Sequence, residues 1–244
     1  MNCITRAPDG KMAVGSGQGG IHLYSPDGEL QQTVLKDVSV RRIGFLSDGR
    51  SVVRGTNNTM SLCTPQWEKF DVTFETMSVD EGGYGGLTLD KDDNIYVGYR
   101  KLKKIQVFTP QGGKAVREVM WHGYNIIPEQ IFSFQSTGKL IMRDASGVVC
   151  LDGEGKKENV LKKEGMSSWP AVCRDDSVIV AWVKDEEGLV SIDRYTRDLE
   201  HMDTIVTEFK IQKPANRHWY YLQQFESGEI AFCTPDRLYI FDVI

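Results

Sequence analysis

The chain has 244 residues, of which 26% are charged and 40% hydrophobic, and both fractions are typical of a soluble globular protein. Its net charge of −5 argues against a protein that holds nucleic acid mainly through phosphate contacts. No apolar run approaches the roughly 18 residues that a bilayer-spanning helix needs, and the first residues include no apolar segment of a signal peptide. We therefore expect a cytoplasmic protein that does not contact a membrane.

A short turn recurs six times along the chain, as in Pro8-Asp9-Gly10 and Ser47-Asp48-Gly49. Counted between one residue of each turn, the spacings are 39, 44, 45, 38 and 52 residues. Tight β-hairpins need this Asp and Gly chemistry, because their central residues adopt conformations that other side chains resist. We call the six residues the turn anchors: Gly10, Gly49, Asp93, Gly138, Asp176 and Gly228.

Runs of alternating apolar and polar residues surround each anchor and predict short strands. Met12-Ala13-Val14 and Ile21-His22-Leu23-Tyr24 are the runs of the first repeat, and five of the six repeats continue into a fourth strand. Helical periodicity is nearly absent, with one weak helical turn near Pro128-Glu129-Gln130. Four short strands in about 40 to 45 residues are typical of a propeller blade.

The predicted fold is therefore all-β, a six-bladed β-propeller with about four antiparallel strands per blade, forming one domain over residues 1–244. The sixth repeat ends at its third strand, so the last blade lacks its outer strand. Strand 238–242 would then be an exposed edge, and we expect weak self-association through it. A strict monomer in dynamic light scattering would contradict this expectation. The predicted blades cover residues 1–36, 37–76, 77–120, 121–162, 163–210 and 211–244.

The repeats resemble the NHL repeat. The best copy is the run Asp93 to Gly98 followed by Lys104 to Pro110, and the run Ile21 to Gly28 of the first repeat is nearly as good. No repeat has the Gly-His start or Trp-Asp end of the WD40 class, and loops such as 15–20 replace the Asn-His-Arg loop usual in NHL repeats. The set is similar to the propeller at the C-terminus of animal tripartite-motif proteins, which implies the target-recognition part of a ubiquitin ligase.

The loops after the second and fourth strands of each repeat are long and rich in arginine and aromatic residues, which commonly anchor interfaces. Acidic residues such as Asp80 share these loops, so a protein partner is the first expectation and RNA the alternative. Trp121, Trp169 and Trp219 are read equally well as packing between blades. The predicted ligand-binding residues are Arg41, Arg54, Tyr84, Arg100, Lys101, Lys103, Lys104, Trp121, His122, Tyr124, Arg143, Trp169, Arg217, His218 and Trp219.

No catalytic motif stands out. The predicted inner strands form no ring of carboxylates, the four histidines fall in different repeats, and there is no H-E-x-x-H, G-x-S-x-G or P-loop. The glycine-rich run 82–86 precedes a strand rather than a helix, and the five cysteines have no C-x-x-C spacing, which indicates buried reduced thiols. We therefore expect a non-catalytic binding propeller without cofactor or metal, with a metal-dependent hydrolase as the last alternative.

Overall fold

The computed structural model describes residues 2–17, 19–25, 27–121, 126–134, 136–144, 147–212, 220–225, 228–235 and 237–242. The chain divides into two compact units, Met1–Met120 and Trp121–Ile244. In the part that is described, each unit contains three antiparallel sheets. The single helix among these residues has four residues, so no helix there could cross a bilayer.

The first unit holds blades one to three, whose inner strands β1, β5 and β8 lie side by side. Its strands are β1 (Cys3–Arg6), β2 (Met12–Gly15), β3 (Ile21–Tyr24), β4 (Leu30–Val34), β5 (Val40–Phe45), β6 (Ser51–Gly55), β7 (Met60–Cys63), β8 (Leu87–Leu89), β9 (Ile95–Tyr99), β10 (Lys104–Phe108) and β11 (Arg117–Met120). Helix α1 (Val79–Gly82) precedes β8.

The second unit holds blades four to six. Its strands are β12 (Ile126–Ser133), β13 (Leu140–Asp144), β14 (Gly147–Leu151), β15 (Lys157–Leu161), β16 (Ser167–Val172), β17 (Val178–Lys184), β18 (Leu189–Tyr195), β19 (His201–Lys210), β20 (Tyr221–Gln224), β21 (Ile230–Cys233) and β22 (Leu238–Phe241). The predicted fold class, an all-β six-bladed β-propeller, is confirmed, and the last blade has three strands among its described residues.

Two local predictions are wrong. Residues 128–130 lie in strand β12 instead of a helical turn, and a register shift between Ile127 and Ile131 accommodates the proline, which cannot donate to a β-ladder. Blade two also has three strands among its described residues instead of four. After β7 the chain makes one bridge, between Cys63 and Lys69, and then leaves the sheet.

The core of each unit lies between neighbouring sheets, so the central strands are buried on both faces. Strand β17 shows this most clearly, because all its residues except Lys184 are buried. This explains its almost continuous apolar sequence, where a sheet with one solvated face would alternate. All five cysteines are buried and unpaired, and burial raises the pKa of the Cys150 and Cys173 thiols to about 11.

Two of the six turn anchors are aspartates that take the place of glycine. Asp93 and Asp176 have φ angles of 62° and 61°, in the left-handed region. Asp93 accepts hydrogen bonds from the backbone N and Oγ of Ser47 at 2.8 and 2.6 Å. Asp176 accepts one from the backbone N of Ser136 at 2.8 Å. Each donor belongs to the anchor turn of the preceding blade, so these aspartates join neighbouring blades.

Bulky residues occupy the glycine position of the second turn in two blades. Trp67 and Leu199 have φ angles of 69° and 65°, where Gly28 and Gly112 have 83° and 78°. The N–H of Trp67 and that of Leu199 each donate to the carbonyl oxygen three residues earlier at 2.9 Å. The Trp67 ring packs edge-on against Phe45 with centroids 5.8 Å apart, and Leu199 is buried in the core of the second unit.

Strand β22 is the last strand of its sheet, and Ile240 on it is exposed. Its outward edge has no partner strand among the described residues. Self-association through this edge stays a prediction.

A buried carboxylate organises blade five. Asp193 accepts hydrogen bonds from Lys163 Nζ at 2.6 Å, from the Tyr195 hydroxyl at 2.9 Å and from Thr204 Oγ1 at 2.9 Å. The Tyr195 hydroxyl in turn accepts one from Trp182 Nε1 at 3.0 Å. Burial by itself raises the pKa of Asp193, but these hydrogen bonds, that of Lys163 first, outweigh it and leave the pKa lowered.

We expect Asp193→Asn to lower the free energy of unfolding at pH 7 by about 2–3 kcal/mol, because the change removes the charge and leaves buried donors poorly matched. A carboxyl with a lowered folded-state pKa stabilises the fold above its unfolded pKa of about 3.9, and this contribution is lost as pH falls through the folded value. Urea unfolding of both proteins between pH 7 and pH 3 should show the difference shrinking below about pH 4. A difference that is constant over this range would contradict the assignment.

Candidate functional site

The glycine-rich run between α1 and β8 lies directly against strand β9. A Cβ on Gly85 would stand 1.9 Å from the carbonyl oxygen of Gly98, and one on Gly82 would stand 2.4 Å from the ring of Tyr99. Gly83 has a φ of 72° where helix α1 ends. The run is glycine-rich because only glycine allows this close approach and this turn. It presents the exposed side chain of Tyr84.

Arg54 holds this run from beneath. Its side chain is fully buried, and its guanidinium donates to the carbonyl oxygens of Gly86 at 2.9 Å and Gly98 at 3.1 Å. It also donates to Asn58 Oδ1 at 2.9 Å, and Asn58 Nδ2 donates to the carbonyl oxygen of Gly83 at 2.8 Å. The guanidinium of this residue therefore fixes the run from inside the unit and does not face solvent.

Arg41 and Tyr84 form the surface above this support. The Arg41 guanidinium lies 4.1 Å from the centroid of the Tyr84 ring, a cation–π contact between blades two and three. The turn after β9 lies alongside, because Arg100 N donates to the Tyr84 carbonyl oxygen at 3.1 Å. Lys101 Nζ donates to the Asp80 carbonyl oxygen at 2.8 Å. We call Arg41, Tyr84, Arg100 and Lys101 the first-unit loop surface.

The two remaining lysines of this region, Lys103 and Lys104, differ in exposure and in hydrogen bonding. Lys103 is exposed in the same turn, with a φ of 50°. Lys104 begins strand β10, and its ammonium donates to Glu118 Oε1 at 2.7 Å. The positive charge of Lys104 is therefore balanced within blade three.

In the second unit, Arg143 and Trp169 pack between blades. The Arg143 guanidinium lies 3.7 Å from the Trp169 ring centroid, and Trp169 is buried edge-on against Tyr220 with centroids 5.1 Å apart. Trp121 is also buried, and its Nε1 has no hydrogen-bond partner among the described residues. The burial of Trp121 and Trp169 fits the interpretation that these side chains pack between blades. His122, Tyr124, Arg217, His218 and Trp219 lie outside the described residues.

Sequence reasoning missed Asn58 and misassigned the part that Arg54 plays. Asn58 was not among the predicted site residues, yet it is fully buried and hydrogen-bonded to Arg54 and to the carbonyl oxygen of Gly83. The available signal was position: Arg54 lies five residues after its anchor, where four of the six repeats have a small residue, Gly15, Gly98, Ala181 or Cys233, and the fourth repeat has Arg143. An arginine at a position that most repeats give to a small residue indicates a side chain that reaches the neighbouring blade.

Among the residues that the structure describes, no three His, Cys, Asp or Glu side chains converge as a metal site would require.

No family model and no curated protein matches the chain. Solved structures do match. A catalytically inactive virginiamycin B lyase from Staphylococcus aureus with quinupristin has a TM-score of 0.64 at 16% identity, covering 98% of this chain and 83% of that one. A gluconolactonase from Xanthomonas campestris has a TM-score of 0.55 at 12% identity, covering 72% and 67%. A protein of unknown function from Bacteroides caccae has a TM-score of 0.60 at 13% identity, covering 84% and 81%.

At these identities the likeness establishes the fold alone, and no site residue is carried over from those proteins. It does overturn the prediction that this chain is not an enzyme. That prediction was wrong because it treated an NHL-like propeller pattern without a recognised motif as a sign of pure binding. Propellers of the same fold include a lyase and a gluconolactonase.

We expect Arg54→Met to lower the free energy of unfolding by about 3 kcal/mol, because it removes a buried donor from Gly98 and Asn58 and leaves Gly86 with the Gly98 N–H alone. Arg41→Met is the matched control in the same blade. Its side chain is only partly buried, so we expect a change within about 0.5 kcal/mol. Urea unfolding measures the free energy of unfolding of both variants. Equal decreases would contradict the conclusion that Arg54 supports the glycine-rich run whereas Arg41 lies on the surface.

Proposed function

We propose that this propeller recognises a protein partner through the first-unit loop surface. The observation that carries the proposal is the Arg41–Tyr84 pair, in which an aromatic ring that is 44% exposed is held by a cation 4.1 Å from its centroid. Tyrosine and arginine are enriched among the residues that dominate interface energetics. An exposed ring of this kind, already oriented before binding, loses little conformational freedom when a partner arrives.

The support beneath the ring strengthens the proposal. The Arg54–Asn58 network fixes the backbone on both sides of Tyr84, at Gly83 and Gly86. Arg100 and Lys101 add positive charge on the same surface, so a segment with acidic residues suits it best. The NHL-like repeats support a finer proposal, in which the partner is a target protein of a tripartite-motif-like ubiquitin ligase and this propeller is the recognition module.

The test is a selection of random linear peptides displayed on phage against the full chain, followed by affinity measurement of the winners. We expect Tyr84→Ala and Arg41→Met to weaken binding about 30-fold, the effect of losing a contact worth about 2 kcal/mol. Phe70→Ala is the matched control, because Phe70 is 40% exposed and also lies beneath an arginine, Arg50, at 5.9 Å. Equal losses in all three variants, or winners without acidic residues, would contradict the proposal.

RNA is the competing ligand for the same surface. Binding to a randomised RNA pool at 50 and 200 mM salt separates the two, because phosphate contacts lose affinity steeply with salt. RNA binding that falls with salt and disappears when Arg100, Lys101 and Lys103 are changed to Glu, without peptide binding, would replace the protein partner by RNA.

An enzymatic propeller is the second candidate, and the match to a lyase over 98% of this chain is the observation that favours it. The assay is incubation with quinupristin and with gluconolactone, the compounds that the names of the matching proteins indicate, with and without added divalent cations. Liquid chromatography with tandem mass spectrometry detects an opened ring, both where the opening adds water and where an elimination leaves the mass unchanged. Turnover that the first-unit variants leave unchanged would place catalysis elsewhere in the chain and make it a separate activity.

A further inference from the structure

A second surface lies on the flank of blade three, away from the loops discussed above. It is an open groove of about 460 Å³ lined by Glu75, Gln106, Lys114, Ala115, Val116, Arg117 and Glu118. The groove exists because blade two stops at three strands among the described residues. The chain after β7 crosses instead to the start of the outer part of blade three, where it contacts Gly113.

Gln106, which lines the groove, has a buried amide oxygen without a donor among the described residues. Gln106 is 7% exposed, and its Nε2 donates to Glu118 Oε1 at 2.9 Å, which fixes the orientation of the amide. Its Oε1 has no hydrogen-bond partner among the described residues. A buried acceptor without a donor costs free energy, which a donor entering the groove would recover.

Glu118, on the wall of the groove, remains charged at neutral pH. Hydrogen bonds from Lys104 and Gln106 lower the pKa of Glu118, and both of them go to Oε1. Glu75 is exposed at the junction of the two blades. The Arg117 guanidinium is turned to the other face of the sheet, where it donates to the Tyr96 hydroxyl at 3.1 Å. The groove therefore offers carboxylates and an amide oxygen to a cationic donor, with Lys114 the exposed cation beside them.

Strand β11 gives the groove a free backbone edge. Its sheet has the order β11-β10-β9-β8, so β11 is terminal. Gly98 N donates to the Gly86 carbonyl oxygen, on the β8 side of β9. Gly98 lies opposite Ile105, and Ile105 lies opposite Val119. Because hydrogen-bonding directions alternate in antiparallel pairs, the N–H and C=O groups of Ile105 point toward β11 and those of Val119 point toward β10. The N–H and C=O groups of Glu118 and Met120 consequently point away from the sheet, and no described residue bonds to them.

The chain itself pairs with the segment that leads into β11. Gly113 N donates to the Thr73 carbonyl oxygen at 2.7 Å, and Glu75 N donates to the Gly113 carbonyl oxygen at 2.9 Å. This one-residue pairing ends at Glu75, where the chain turns toward helix α1, and the groove continues beyond it. Val116, 64% exposed, supplies an apolar contact along the way.

We propose that this groove binds an extended segment of a partner protein, which pairs with the free edge of β11 and places a lysine or arginine side chain among Gln106, Glu75 and Glu118. The backbone bonds would supply affinity, and the basic side chain would supply selectivity, as is usual for peptides that add a strand to a sheet. This site is separate from the Arg41–Tyr84 pair and does not depend on it.

The experiment uses the full chain and the same library of random linear peptides on phage, with an acidic peptide from the first selection present as competitor. We expect winners that carry Lys or Arg and bind at least tenfold more weakly to Glu75→Lys and to Val116→Asp. Leu30→Asp is the matched control, since Leu30 is an exposed apolar residue, 54% exposed, on the terminal strand β4 of blade one. Leu30→Asp and Tyr84→Ala should leave this binding unchanged.

Amide exchange followed by NMR provides an independent readout. On peptide binding, the amides of Glu118 and Met120 should become protected, whereas that of Val119, already bonded to β10, should change little. Winners without a basic residue, no winners, or binding that Tyr84→Ala abolishes would each overturn the proposal. A dimer in sedimentation that Val116→Asp dissociates would overturn it too, because the occupant would then be a second copy of the chain.

Discussion

The buried guanidinium of Arg54 is the interaction on which the first-unit loop surface depends. A permanent positive charge inside a stack of sheets must be matched by acceptors, and here backbone carbonyls of the next blade provide them. The run can lie against β9 because its four glycines have no side chains, but it would lack a fixed position without the Arg54 donor beneath it. The buried contacts of Arg54 therefore also fix the orientation of the exposed Tyr84 side chain.

The position five residues after the turn anchor makes different contacts in the two units. Arg54 and Arg143 each lie five residues after a turn anchor. Arg54 bonds to backbone carbonyls, whereas Arg143 stacks on the Trp169 ring. Where the repeat has Gly15 instead, a Cβ would meet the Cγ1 of Val40 in blade two at 2.8 Å, so that sheet approaches its neighbour closely. The choice of residue at this position sets whether neighbouring blades meet through side-chain packing or through hydrogen bonds.

The repeat pattern predicted the fold well because turn chemistry and strand alternation are local properties. Residues such as Gly10 and Asp93 mark hairpins whatever surrounds them. The missing strand of blade two was not predictable from local sequence, because Lys69 and Phe70 begin to pair with β7 as a fourth strand would, whereas residues 73–75 hydrogen-bond to the distant Gly113. The part played by Arg54 was also hidden, since a charged residue near a loop reads as exposed until its neighbours are known.

The Trp67 and Leu199 turns have a consequence for the order of folding. A left-handed conformation is unfavourable for both residues, by about 1–2 kcal/mol, and only contacts with Phe45 and the second-unit core offset it. These hairpins therefore have little tendency to form in the isolated chain, whereas the glycine-containing turns at Gly28 and Gly112 do. We therefore expect each bulky turn to close only after the residues that it packs against are in place, so that the outer margins of blades two and five are completed late in the folding reaction.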